Sequence, residues 1–165
     1  MKNESLLTIR PFGEGDLSEL SRLIADTVER CYTGVYPPKA VRFFLDYHSP
    51  ENILRDAAKG ITLISWHDET PVATATLIDS YICRVFVHPE YQGKGCGKSL
   101  AFEVEKLAME RGIELLELDA SLVSRRFWEG LGWRVTAREV EMVEDEALEY
   151  YKMSKIMGRG TPPSP

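Results

Sequence analysis

The chain has 165 residues, 44% of them apolar and 28% charged, and a formal charge of −6. That is the size and balance of one soluble domain with a core of its own. The negative charge argues against general nucleic-acid binding, which needs a basic footprint, and the absence of a run of about 18 apolar residues argues against a membrane span.

The cysteines, Cys31, Cys83 and Cys96, are odd in number and form no C-x-x-C pair, while His48, His67 and His88 stand apart. No disulfide framework and no metal site are expected. The start, MKNESLLTIRPF, lacks the basic end and long apolar block of a secretory signal. A cytoplasmic protein is the expectation.

In chain order, LLTIR (6–10) alternates like a first strand. Asp16 can cap a helix whose Leu17, Leu20, Ile24 and Val28 share a face. Residues 34–60 read as two short helices, the first opened by Pro37 and Pro38, the second capped by Ser49 and ended by Gly60. The period then shortens. ITLISW (61–66), VATATLI (72–78) and YICRVFV (81–87) are three strands, the last densely apolar and central. Residues 97–112 form a helix with a Leu100, Val104, Leu107, Ala108 stripe, stopped by Gly112. A buried strand (113–120), a short helix (124–132) and two strands, about 133–143 and 147–155, complete the order, the last pair as a hairpin. Consecutive central strands argue for a mixed sheet rather than a doubly wound parallel one. The expectation is one α+β domain over 1–157: about seven mostly antiparallel strands, about four helices, and a loose tail at 158–165.

The segment EYQGKGCGKSL (90–100) poses the functional question. A P-loop, G-x-x-x-x-G-K-[ST], would end on Gly97-Lys98-Ser99 but needs glycine where Gln92 stands. A dinucleotide G-x-G-x-x-G fits Gly93 and Gly95 but needs glycine where Lys98 stands. The pattern Q-x-x-G-x-G, carried by Gln92, Gly95 and Gly97 between strand and helix, fits throughout. Glycines let the backbone approach an anion, and bare amides at a helix start point at it.

The stretch VFVHPEYQGKGCGKSL (85–100) resembles the pyrophosphate-binding segment of the GNAT superfamily, the acyl-CoA-dependent N-acetyltransferases. LELDASLVSRRFWEGLGWRV (116–135) is similar to that family's second block, with Phe127, Leu131, Gly132 and Trp133 matching in kind, and YYKMSKIM (150–157) to its closing strand. The resemblance covers about the last half of the chain. It implies a GNAT-like fold and acetyl transfer from acetyl-CoA directly to a primary amine on a small molecule or peptide. The cofactor-binding residues it implies are Phe86, Val87, Gln92, Gly93, Lys94, Gly95, Cys96, Gly97, Lys98, Ser99, Ser124, Phe127 and Trp128. It also implies that strands 81–87 and 113–119 splay where the cofactor enters.

Two positions depart from the pattern. Val123 replaces the usual turn asparagine, and Trp128 replaces the tyrosine thought to protonate the leaving thiolate in many relatives. An indole N–H is no proton source at neutral pH, so Trp128 also reads as core filling. Tyr81, Tyr91, Tyr150 and Tyr151 are candidate substitutes. Either one of these serves, or the thiolate leaves unassisted, or the chain is a CoA-binding sensor that does not catalyse; a P-loop phosphotransferase is the third and weakest reading.

The resemblance places a base on the strand before the loop, where Asp79 is nearest; Asp79 also suits a hairpin turn. Cys83 and Cys96 read as structural, since His88, five residues past Cys83 on an alternating strand, should face away from it. The aromatic segment 32–47 can wall an acceptor cleft, and EVEMVEDEALE (139–149), with six acidic and no basic residues, can attract a cationic amine. Either can equally be packing or a solvated face. The assembly is left open, a homodimer included.

Overall fold

The structure, a computed structural model, describes residues 7–158. Leu6 of the first expected strand and all of the expected tail except Gly158 lie outside those residues.

Seven strands form one sheet in the order β1-β2-β3-β4-β5-β7-β6. β1 (Leu7–Pro11), β2 (Ile61–His67), β3 (Thr70–Ile78) and β4 (Tyr81–Val87) pair as antiparallel neighbours. β5 (Leu115–Ser121) pairs antiparallel with β7 (Glu146–Ile156), which forms a hairpin with β6 (Arg134–Val143). β4 and β5 make the one parallel junction. This is the mixed, mostly antiparallel sheet that the strand order implies.

Among the described residues five α-helices flank the sheet, where about four were expected. α1 (Leu17–Tyr32), α2 (Pro38–Tyr47) and α3 (Pro50–Lys59) cover one face. Their Leu20, Ile24, Val28, Ala40 and Ile53 bury against Ile64, Trp66 and Phe86 of the sheet. α4 (Cys96–Glu110) and α5 (Arg125–Gly130) cover the other, where Leu100, Val104, Ala108 and Trp128 meet Ala75, Leu77, Leu116 and Met153. Between the two layers, Thr62 and Thr76 satisfy each other at 2.8 Å, and Thr74 donates to the Leu63 carbonyl at 3.0 Å. Buried hydroxyls so paired cost the core little.

Local chemistry sets the element ends. Ser49 caps α3, its hydroxyl accepting from the Asn52 N–H at 3.3 Å. Asp16 precedes α1 but does not cap it with its side chain. Its carboxylate goes to Arg10, at 2.9 Å, and to the Gly13 N–H, at 2.9 Å, because an arginine fork binds a carboxylate more strongly than an amide does. α4 ends in a left-handed Gly112, φ 74°, with the Ile113 N–H returning to the Ala108 carbonyl at 3.0 Å. That closure uses residues 112 and 113, so β5 begins at Leu115 rather than 113.

Candidate active site

The sheet opens in its middle. β4 and β5 are in register only at Tyr81↔Glu117 and Ile82↔Leu118. Beyond that, β4 stays with β3 as far as Val87↔Ala73, while β5 stays with β7 as far as Ser121↔Tyr150. The residues past Ile82 on β4 therefore have no β5 partner.

A bulge directs this parting. Thr76 faces Cys83 and Thr74 faces Phe86, so three steps along β4 match two along β3. Arg84 takes up the extra residue with φ 53°. A left-handed arginine costs about 1–2 kcal/mol. It is held by an ion pair under α3: both terminal nitrogens of Arg84 donate to Asp56 Oδ2, at 2.7 and 3.2 Å. The bulge also resets side-chain parity. Val85 and Val87 pack toward α4, and Phe86 toward α1. Cys83, beside Tyr47 and Asp56, and His88, bonded to Asp26 of α1, thus share a face, contrary to the strict alternation expected. They still form no nucleophilic pair. Burial pushes the Cys83 thiol up to about 11. His88 is fully engaged, with Nε2 on Asp26 at 2.7 Å and Nδ1 accepting the Glu90 N–H at 3.3 Å.

The loop after β4 is fastened at its start and bare at its end. The Gln92 amide donates to the Val87 carbonyl at 2.9 Å. Gly93 and Gly95 are left-handed, at φ 73° and 87°, and Gly95 is the residue before α4. The first helical bond runs from the Ser99 N–H to the Gly95 carbonyl. The amides of 96–98 thus point out of the helix start without intrahelical partners. A Cβ on Gly97 would lie 3.0 Å from Val87 and 3.2 Å from Phe127, so glycine there lets α4 sit against β4 and α5.

Two cavities open on the split. The larger, about 590 Å³, is lined by Phe86, Val87, Gln92, Gly93, Gly95, Gly97 and Lys98, and by Ser124, Phe127 and Trp128 across the gap. Of the other residues expected there, Cys96 is buried, the Lys94 ammonium lies 5.2 Å from the Tyr91 ring centroid, and Ser99 is exposed on the first turn. The smaller cavity, about 340 Å³, is walled by aromatics that include Phe43, Phe44, Tyr47 and Tyr150, with Arg84, His48, Asp119 and Glu141. Tyr32, Val85, Phe86, Ser121, Ser124 and Trp128 line both, so the two spaces meet there.

Asp79 lines neither cavity; it sits in the β3–β4 turn with φ 51°. Trp128 is 2% exposed and packs edge-on against Trp133. Tyr91 packs against His67, and Tyr151 lies under the Arg125 guanidinium. Tyr36 is a brace: its hydroxyl accepts the Leu122 N–H at 2.8 Å and donates to the Glu149 carbonyl at 2.7 Å. The acidic run is partly neutralised, since Lys39 of α2 pairs with Glu144 and Asp145 and Arg138 pairs with Glu149.

Tyr32 and Arg84 were missed as site residues. Tyr32 looked like one aromatic among several. Arg84 had a signal: it is the one charge in an apolar strand, and buried charges are rare unless paired. The Tyr32 hydroxyl bonds Ser121, and burial raises it to about 12. Ser121 Oγ lies 3.1 Å from Ser124 Oγ, which continues a row of hydroxyls along the junction.

Burial, with Arg84 adding repulsion, lowers His48 to about 3, so its folded-state ring is neutral. An unfolded histidine takes up a proton near pH 6.5. The unfolded chain then binds more protons below that pH. The His48 contribution to stability is full above pH 6.5 and is lost as pH falls toward 3. Denaturant unfolding of His48→Phe should show a shallower loss between pH 6.5 and 4.5 than wild type, by on the order of 2 kcal/mol. Parallel curves would contradict this.

The family model described as "Acetyltransferase (GNAT) domain" matches residues 32–157. Curated protein sequences give no significant match. Among solved structures, a GCN5-related N-acetyltransferase from Rhodopseudomonas palustris superimposes with a TM-score of 0.84 at 25% identity, over 92% of this chain and 96% of that one. The PaiA N-acetyltransferase from Thermoplasma acidophilum, in complex with coenzyme A, gives 0.70 at 21% identity, over 92% and 99%. YncA from Salmonella typhimurium, a putative acetyltransferase with its cofactor acetyl-CoA, gives 0.67 at 19%, over 97% and 99%. With the family model matching residues 32–157, well over half of the chain, the chain belongs to the GNAT acetyltransferase family.

Proposed function

We propose that this chain moves an acetyl group from acetyl-CoA directly to a primary amine, with both bound at once. The observation that carries the reading is the wall common to the two cavities, at Tyr32, Phe86, Ser121 and Trp128. Direct transfer needs donor and amine in one space at near-contact distance.

The larger cavity suits the donor. The amides of 96–98, the helix dipole and Lys98 offer a diphosphate fixed donors and positive charge. Lys94 and Ser99 lie on the same loop and first turn. The β4 edge around Val85 and Phe86, left by β5, offers main-chain groups to an amide-bearing arm. Phe127, Leu131 and Val123 supply the apolar side. Acetyl-CoA brings the activated thioester; the chain supplies position and proton management.

The amine must arrive neutral, and an alkylamine titrates near about 10.4. Geometry favours Asp119 over Asp79 as the proton acceptor. Asp119 lines the amine-side cavity on β5, two residues before Ser121 and on the same face, whereas Asp79 lies in its turn outside. Tyr32 is the proposed proton donor to the departing sulfur, in place of the tyrosine that Trp128 replaces. With its hydroxyl raised to about 12 by burial, it is protonated at neutral pH and so carries a proton to give. Cys83, a protonated thiol, takes no part, in keeping with a route without an acyl-enzyme.

A second reading, an acyl-CoA-binding module without turnover, draws on Trp128. It predicts CoA binding with no acetyl-CoA consumption across an amine panel.

Two outcomes test the proposal. A Cβ at Gly95 meets no atom within 4 Å, so Gly95→Asp acts through backbone strain and charge rather than a clash. It should weaken CoA binding at least about 30-fold by calorimetry; unchanged affinity would remove the diphosphate from this loop. Tyr32→Phe and Asp119→Asn should each lower kcat on the order of 100-fold while CoA affinity holds. If kcat is unaffected, the proton roles belong to other groups.

A further inference from the structure

Arg84 is more than a brace. Its side chain is 1% exposed, and it lines the smaller cavity. Both of its terminal nitrogens donate to one oxygen of Asp56, and the other oxygen is taken by Arg55 Nε at 3.2 Å. Two guanidinium groups thus share one carboxylate, but Arg55 is about half exposed and lies outside the cavity lining, so Arg84 is the cation that lines the cavity. Arg84 Nε is buried with no hydrogen-bond partner, and so is Nδ1 of His48 on the same wall. A buried polar group left unpaired is costly, most of all on a cation. A cavity with two such atoms is shaped for a partner from outside.

The charges name that partner. An anionic oxygen accepts from the vacant Arg84 Nε–H in a charge-assisted bond, and the neutral His48 adds a second donor in its Nδ1–H tautomer; a neutral oxygen makes only weaker bonds. Asp119 of β5 and Glu141 of β6 place negative charge for the amine in the same lining, which also holds Phe43, Phe44 and Tyr47. Arg84 and Phe86 share a face of β4 two residues apart, roughly 7 Å, and Phe86 belongs to the junction. An amine at the junction and an anion on Arg84 are therefore only a few bonds apart. About 340 Å³ is the volume of a small-molecule site.

We infer that the smaller cavity is an amino-acid site: it takes an α-amino acid or close analogue with an aromatic or large apolar side chain, its carboxylate on Arg84 and His48 and its amine toward the junction. This rests on the acetyltransferase reading for the chemistry but not for the binding. A polyamine brings no acceptor oxygen for Arg84 Nε and would leave it unpaired.

Calorimetry on the full chain saturated with CoA tests it, with phenylalanine, leucine and methionine as probes, each against its own amide. The acids should bind at least about tenfold tighter than the amides. Arg84→Met with Asp56→Leu removes the pair as a unit and leaves no lone buried charge; the acid preference should fall to within about twofold. Arg84→Lys keeps the charge and loses Nε, and should reduce the preference if the double variant does not fold. Equal binding of acid and amide, no binding by any of the acids, or a preference untouched in every folded variant would overturn the assignment. Turnover separates the two readings. Acid preference without acetyl-CoA consumption sinks the transferase alone. Acetylation of phenethylamine as fast as phenylalanine sinks the amino-acid site alone.

Discussion

The parting of β4 from β5 is the constraint on which the rest of the structure depends. A sheet that stayed paired to Val87 would close the space where both cavities meet. Parting strands strands their main-chain groups, and orphaned buried groups are costly. The bulge at Arg84 does not pair those groups; it bends β4 at a defined residue, so that the parting falls at one place. The ion pair to Asp56 then fastens the bulge to α3. Breaking one partner of such a pair is far more damaging than replacing both, so this link fixes the geometry more than it adds stability.

The glycine loop depends on the same strand. His88, the residue after β4, is tied to α1 through Asp26, and the Val87 carbonyl is held by Gln92. These bonds set where α4 begins. Gly97 then lets the helix start sit against Val87 and Phe127. Gly97 and Lys98, two of the residues that carry the bare amides, line the larger cavity. Anion site and split sheet are one construction, joined through five residues of β4.

Much of this was legible in the residues. The alternation of 61–66, 72–78 and 81–87, the proline-led helices and the Gln92–Gly95–Gly97 spacing each have a local cause, so local reading found them. The bulge has none. No glycine marks it, and an arginine adopts its left-handed turn only because Asp56, 28 residues earlier, holds it there. Missing it reversed the expected side of His88 relative to Cys83. Asp16 was misread for a similar reason: its partner is Arg10 across the chain turn, not the helix start it precedes. Tyr32 could not be singled out because its role comes from where α1 ends over the split. Asp79 was chosen by nearness in sequence, whereas Asp119 lies in the cavity through the fold.

The account stands on donor and acceptor meeting at the Tyr32–Trp128 junction, and a crystal structure of the chain with bound CoA tests that most directly. It should show the diphosphate on the amides of 96–98 and the sulfur within hydrogen-bond reach of the Tyr32 hydroxyl. A coenzyme lying elsewhere, or a sulfur that never reaches the common wall of the two cavities, would contradict it.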